Sequence, residues 1–63
     1  MSVGKNVKRL RFERDVSNKQ IAEAVGVSEA AISMLIHDEK PLSLEKTVKL
    51  AEFFGVTVDE LIK

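Results

Sequence analysis

The 63-residue chain lacks cysteine, tryptophan and tyrosine, and it has a single proline. Without cysteine, neither a disulfide bond nor a thiolate metal site can stabilise it. A chain this short buries only about 60% of the surface that its unfolded form exposes, so its stability must come from helix packing or from self-association. No apolar run approaches the ~18 residues that span a bilayer, and the polar N-terminus has no signal-peptide stretch. We expect one cytoplasmic domain over residues 1–63 with no membrane segment.

Groups that commonly carry out catalysis are also scarce. The chain has one histidine, His37, and its three glycines form no phosphate-binding loop. No nucleophile stands beside a recognisable base, and so short a chain cannot enclose a pocket of ordinary size. A metal role for His37 is not predicted, because no second ligand is suitably spaced. The sequence therefore predicts neither an enzyme nor a bound cofactor.

The charges balance overall but are unevenly distributed. Residues 1–20 carry six basic and two acidic side chains, a net charge of +4, whereas residues 21–63 carry four basic and eight acidic ones, a net charge of −4. A positive patch of this kind can attract phosphate even in a neutral protein. The alternative is an ordinary charged helix face in contact with solvent.

Capping residues predict five helices, and no stretch has the alternation of a strand. Ser17 with Gln20, and Thr57 with Glu60, have the spacing of capping boxes, in which each side chain bonds the other residue's backbone N–H. Gly26 suits the left-handed residue that ends a helix. The expected N-caps are Ser2, Ser17, Ser28, Ser43 and Thr57, and the expected interruptions are Asp15–Val16, Gly26, Pro41 and Gly55.

Apolar residues at helical spacing predict which side of each helix faces the core. The predicted stripes of this all-α fold are Val3, Val7, Leu10 and Arg14; Ile21, Ala24 and Val25; Ala31, Ile32, Leu35 and Ile36; and Leu44, Thr47, Val48, Leu50, Ala51 and Phe54. The short final helix contains Leu61 and Ile62.

The second and third predicted helices have the spacing of a helix-turn-helix. Small Ala22 allows the two helices to approach closely, and Gly26, four residues later, permits the sharp turn. The wedge between the helices would be filled by Val27, Ile32 and Leu35.

The chain resembles the lambda repressor/Cro-type (Xre) helix-turn-helix family in two stretches, IAEAVGVSEAAIS (residues 21–33) and PLSLEKTVKLAEFFGVTVDELI (residues 41–62). The resemblance runs without gaps from about Val3 to Ile62. It implies a compact, five-helix, lambda-repressor-like fold whose third helix, about residues 28–37, enters the major groove of double-stranded DNA. It also implies that the N-terminus of the second helix abuts a phosphate, and that a dimer places two third helices ~34 Å apart.

The resemblance places base-reading positions at Glu29, Ala30 and Met34. Glutamate can accept from cytosine N4, while alanine and methionine can contact a thymine methyl group. Ser28 and Ser33 are the remaining polar candidates, and no arginine, lysine, glutamine or asparagine lies between Val27 and Asp38. Specificity would then depend partly on DNA shape. Equally, Ala30 could simply favour helix, Glu29 could complement the helix macrodipole, and Met34 could be a lone exposed apolar residue.

Phosphate contacts are expected around the start of the second helix and the end of the third. Asn18 occupies a position where relatives often have glutamine, and its amide and the neighbouring N–H groups could bind one phosphate. His37 either contacts a phosphate or caps the third helix. The full set of expected phosphate contacts is Arg11, Ser17, Asn18, Lys19, His37 and Lys40.

Two departures from the family pattern concern the first helix. Many relatives pair Arg11 with an acidic residue at position 36, where this chain has Ile36, so Arg11 is expected to turn toward phosphate, Glu13 or Asp15. Phe12 lies about opposite the stripe that faces the core, so it either contacts a partner or packs against a neighbouring loop.

Two functions of different kind follow. One is a sequence-specific DNA-binding transcriptional regulator of phage- or prophage-repressor type. It would be a homodimer through residues 55–63, because Val56, Val58 and Ile62 cannot all be buried in one subunit. The alternative is a protein-interaction module on the same fold, such as an antirepressor, that does not bind DNA. The unusually apolar outer face of the third helix motivates it, as does Phe12.

Overall fold

A serine or threonine hydroxyl caps the start of every helix in the structure. Each hydroxyl oxygen accepts a hydrogen bond from the backbone N–H three residues later, which satisfies a donor that has no partner inside the helix. The computed structural model describes residues 2–63, and the described residues contain no strand. The helices are α1 (Val3–Arg14), α2 (Asn18–Val25), α3 (Glu29–Ile36), α4 (Leu44–Phe54) and α5 (Val58–Ile62). The predicted all-α, five-helix fold is confirmed.

The two predicted capping boxes differ in the structure. At α2 both arms are present: Gln20 N–H donates to the Ser17 hydroxyl at 3.1 Å, and Ser17 N–H donates to Gln20 Oε1 at 2.8 Å. At α5 the Thr57 hydroxyl accepts from Glu60 N–H, but the return arm from the Glu60 carboxylate is not formed. The prediction of a full second box was therefore wrong, because the exposed Glu60 side chain does not fold back onto the cap.

One apolar core joins all five helices. Helices α1 to α4 each contribute two or three residues about one turn apart, and α5 contributes one, so a single contiguous cluster holds the elements together. Its members are Val7, Leu10, Ile21, Ala22, Val25, Ile32, Leu35, Leu50, Ala51, Phe54 and Leu61. The half-buried Val27 and Ile36 pack against it, as do Val56 and Val58.

Several residues of the predicted stripes lie outside this core. Arg14 and Ala24 are exposed, since the last turn of α1 and the outer side of α2 extend beyond the packed region. In α4 only the C-terminal half is buried, so Leu44 in its first turn is 75% exposed and Val48 is 39% exposed. Helical spacing alone could not distinguish these positions from buried ones, because it does not show where neighbouring helices end.

Helix α1 is fastened to the rest of the molecule at two buried residues. A Cβ atom at Gly4 would lie 2.5 Å from the Leu35 carbonyl oxygen and 2.7 Å from that of Ile36, so the backbone of α1 lies against the end of α3. Asn6 Nδ2 donates to the carbonyl oxygen of Leu61 at 2.6 Å, which joins α1 to α5. Buried hydrogen bonds and close backbone contacts such as these fix one arrangement of helices.

Candidate nucleic-acid interface

The connection between α2 and α3 is a tight turn built from main-chain bonds. Gly26 adopts a left-handed conformation, with φ 85° and ψ 37°, as predicted. The N–H groups of Gly26 and Val27 both donate to the carbonyl oxygen of Ala22, at 2.8 and 3.0 Å. Ala22 is buried where the helices approach, and Ser28 then caps α3. The turn therefore sets the direction of α3 without using any side chain from the outer face of that helix.

The outer face of α3 contains four of the five predicted base-reading positions, and the fifth, Ser28, is the N-cap that precedes the helix. Helical geometry of about 100° per residue places 29, 30, 33, 34 and 37 on one side, opposite buried Ile32 and Leu35. Ser28, Glu29 and Ala30 are exposed at the first turn, whereas Ser33 and Met34 are half-buried. The face carries one acidic side chain and, within α3, no lysine or arginine.

His37 caps the end of α3 in the structure. Its ring Nδ1 lies 2.8 Å from the Ser33 carbonyl oxygen, and because a carbonyl can only accept, Nδ1 donates the hydrogen. Its backbone N–H also donates to the same oxygen at 3.1 Å. The exposed Nε2 atom would then need a proton of its own to donate to a phosphate, which makes the ring doubly protonated. Of the two roles predicted for His37, the structure shows the helix cap.

The start of α2 brings together Arg11 and Asn18. Arg11 Nη1 donates to Asn18 Oδ1 at 3.2 Å, and both side chains are half-buried. Of the three partners expected for Arg11, neither Glu13 nor Asp15 bonds it, because Arg11 bonds Asn18 and Glu13 lies 3.5 Å from Arg9, four residues earlier on α1. A direct phosphate contact by Arg11 stays a prediction. The Ser17 hydroxyl oxygen accepts from Gln20 N–H, so only its O–H hydrogen remains to donate.

Three lysines lie near the helix-turn-helix, of which two were predicted from the sequence and one was not. Lys19 and Lys40, both predicted phosphate contacts, are exposed at the start of α2 and in the loop after α3. Lys46 was missed: its Nζ atom lies 3.4 Å from the point that a Cβ at residue 26 would occupy, so a positive charge sits beside the turn. No local sequence signal connects positions 26 and 46, because this contact depends on how α4 packs on α2.

Exposed apolar side chains also lie away from the helix-turn-helix. Phe12 is 87% exposed, so it points outward rather than packing against a loop. Ile62 is 47% exposed while Val56 and Val58 pack partly against the core, which agrees with the prediction that the three cannot all be buried. Ile62 borders an open apolar groove together with Val3, Leu42, Leu44 and Val58.

Residues 2–63 contain no cluster of three or more side chains suited to holding a metal ion. None of the helices in this part of the chain has the length and apolar character required to cross a membrane.

Comparison with known proteins identifies relatives of this chain. The helix-turn-helix family model matches residues 7–61. The HTH-type transcriptional regulator RamB of Mycobacterium tuberculosis is 33% identical over 54 residues, which are 86% of this chain and 11% of RamB. The cryptic phage CTXphi transcriptional repressor RstR of Vibrio cholerae is 32% identical over 56 residues, 89% of this chain and 50% of RstR. The chain thus spans half the length of RstR and much less of RamB.

A solved structure extends the similarity to the fold as a whole. The P22 c2 repressor protein, crystallised in complex with a synthetic operator, superposes with a TM-score of 0.94 at 24% identity, covering 100% of this chain and 96% of the other. At that identity the likeness concerns the fold alone. With the family match over residues 7–61 and this order of helices, the chain belongs to the lambda repressor/Cro-type (Xre) helix-turn-helix family.

Proposed function

We propose that the chain is a sequence-specific DNA-binding transcriptional regulator of the phage- or prophage-repressor type, with α3 in the major groove. The observation that carries the proposal is the geometry of α3: its first turn is exposed beside the Gly26 turn while its opposite side is buried. This is the arrangement that a recognition helix requires. The similarity to RstR and RamB, named as a repressor and a regulator, supports the regulatory part.

Base reading is assigned to the outer face of α3. Glu29 would accept a hydrogen bond from a cytosine amino group, Ala30 and Met34 would contact thymine methyl groups, and Ser28 and Ser33 would donate or accept. Because this face lacks the arginine and glutamine forks that read guanine and adenine, we propose that DNA shape supplies part of the specificity.

Phosphate contacts are assigned to the two ends of the helix-turn-helix. The N–H groups of Asn18 and Lys19 have no acceptor within α2, and the helix dipole favours an anion there. The Ser17 hydroxyl and the Lys19 side chain would add donors, and Lys40 would approach the phosphate backbone of the DNA from the loop after α3. His37 would join only when its ring is doubly protonated.

A homodimer through residues 55–63 would place two recognition helices on one side of the duplex. Exposed Ile62 and the neighbouring groove offer apolar surface that one subunit does not cover. Size-exclusion chromatography with light scattering, compared between the wild type and Ile62→Lys, tests this: we expect the variant to be more monomeric. An identical mass for both would contradict the assignment of this surface.

The alternative, an interaction module that does not bind DNA, is favoured by one observation: the Phe12 side chain is 87% exposed on the surface of α1. Selection of bound duplexes from a random pool separates the two functions, because it reports binding, palindromic symmetry and half-site spacing together. A regulator enriches a palindrome, and its affinity falls steeply with salt. An interaction module enriches nothing.

Replacing Lys19 by alanine should weaken binding to all DNA sequences equally. Each lost phosphate contact reduces the slope of log affinity against log salt by about one. Titration of the wild type and Lys19→Ala into the same mixed-sequence duplex at several salt concentrations measures that slope. Lys49→Ala, which removes the same charge from an exposed position of α4, serves as the control and should leave the slope unchanged. A loss confined to one sequence would exclude a phosphate role for Lys19.

Glu29→Ala and Met34→Ala should change sequence preference rather than general affinity. A true base contact contributes about 1–3 kcal/mol of discrimination, so single-base variants of the selected site should respond at the contacted position. Competition binding against those variants measures the effect, and Glu23→Ala, an exposed acid on α2, is the control for loss of negative charge. If both variants keep the wild-type preference and affinity, neither side chain reads DNA.

A further inference from the structure

The guanidinium of Arg11 has an unusual partner in this chain. Position 36 is Ile36, so no acid is available there, and Arg11 Nη1 donates instead to Asn18 Oδ1 at 3.2 Å. Among residues 2–63 the one ion pair is Arg9–Glu13, so Arg11 carries its charge to Asn18 without a carboxylate to neutralise it.

This bond determines which way the Asn18 amide points. An asparagine side chain has an accepting oxygen and a donating NH2 group on the same planar amide, and the two can exchange places by rotation. A guanidinium has only donors, so Arg11 holds the oxygen toward itself and leaves Nδ2 directed away. A phosphate has only acceptors at neutral pH. The orientation that Arg11 selects is therefore the one in which Asn18 can donate to a phosphate.

We propose that Arg11 is a positioning residue for a phosphate contact made by Asn18. The proposal rests on the DNA-binding function proposed above, and it deepens that function by giving Arg11 an indirect role. Rotation of the amide would present an oxygen to the phosphate and repel it. The positive charge behind the amide also polarises its N–H groups and makes them better donors.

At the start of α2, the Asn18 amide is one of the few donors available to a phosphate. Ser17 N–H is already bonded to Gln20 Oε1 at 2.8 Å and cannot serve the phosphate. The donors that remain are the backbone N–H groups of Asn18 and Lys19, the Ser17 hydroxyl, the Lys19 ammonium and Nδ2 of Asn18. The side-chain amide is thus the donor at this helix start whose direction depends on a neighbour, and that neighbour is Arg11.

A double-mutant cycle tests the role. Arg11→Met keeps the stem of the half-buried side chain but removes its donors, and Asn18→Ala removes the amide. Affinity for one mixed-sequence duplex at low salt is measured for the wild type, both single variants and the double variant. We expect each single change to weaken binding about tenfold. The double variant should also bind about tenfold more weakly than the wild type, because both changes remove the same contact.

Arg14→Met is the matched control, because it removes the same charge from an exposed site in the last turn of α1. The fold-loss of affinity caused by Arg14→Met should multiply with the fold-loss caused by Asn18→Ala when the two changes are combined. In the free 15N-labelled protein, Arg11→Met should shift the Nδ2 resonances of Asn18, and Arg14→Met should not. Losses that multiply for Arg11 and Asn18, or no loss with Arg11→Met, would overturn the positioning role while leaving DNA binding intact. A wild type that binds no duplex would instead contradict the proposed function, and with it any contact for Arg11 to position.

Discussion

Gly4→Ala should destabilise the protein, although helix propensity predicts the opposite. Alanine within a helix is worth about 1 kcal/mol more than glycine, and Gly4 lies in the first turn of α1. However, the added Cβ would lie 2.5 and 2.7 Å from two backbone carbonyl oxygens of α3, and 2.6 Å from Oδ1 of Asp38. Backbone atoms cannot rotate away as a side chain could, so α1 would have to move from the end of α3.

The expected cost of Gly4→Ala is about 1–3 kcal/mol, the usual range for overpacking. In a domain of this size, each 1 kcal/mol lowers the melting temperature by roughly 4–8 °C. Thermal and urea unfolding of the variant measure the loss. Lys8→Ala, at an exposed position of the same helix, is the control and should change the stability little. A melting temperature equal to or above the wild-type value would show that α1 does not approach α3 this closely.

Asn6→Asp should cost about 2–3 kcal/mol at neutral pH, because it replaces a buried donor by an ionised acceptor of the same shape. Asn6 Nδ2 donates to the Leu61 carbonyl oxygen at 2.6 Å, and Asn6 is 8% exposed. Two acceptors would then face each other away from water, and the end of α5 would separate from α1. Urea unfolding monitored by circular dichroism gives the difference in free energy.

The cost of Asn6→Asp should also depend on pH. A protonated carboxyl can donate to the Leu61 carbonyl again, so the folded state binds that proton more readily than the unfolded chain does. The stability difference from the wild type should therefore shrink as the pH falls and grow as it rises. Gln20→Glu makes the same change at an exposed site where the side chain accepts, and it should be nearly neutral at every pH. A pH-independent cost for Asn6→Asp would contradict the proposed hydrogen bond.

Features encoded by neighbouring residues were predictable from the sequence. Five N-caps, the Gly26 turn and the order of helices each depend on side chains within about four positions of one another, so capping and periodicity identify them. The family resemblance placed the candidate base-reading positions, and the structure puts them on one outer face of α3. Whether those residues read DNA remains a prediction.

Features that depend on distant parts of the chain could not be predicted. The contacts of Gly4 with α3, of Asn6 with Leu61 and of Lys46 with the turn join residues far apart in sequence. The Arg11–Asn18 bond spans seven residues and crosses a helix boundary, so neither helical periodicity nor charge pairing indicates it. Exposure of Leu44 likewise depends on where the neighbouring elements end.

The way in which α3 is anchored bears on how relatives of this protein could diverge. This helix is oriented by the bonds of the turn to the Ala22 carbonyl, by the Ser28 cap and by the burial of Ile32 and Leu35. Glu29, Ala30 and Met34 take part in none of the side-chain bonds. Exchange of the exposed Glu29 and Ala30 should therefore leave the scaffold intact, since surface substitutions away from such features usually change stability by less than about 0.5 kcal/mol. A new preference for DNA sequence could thus evolve through single substitutions on the outer face of α3, while the fold stays the same.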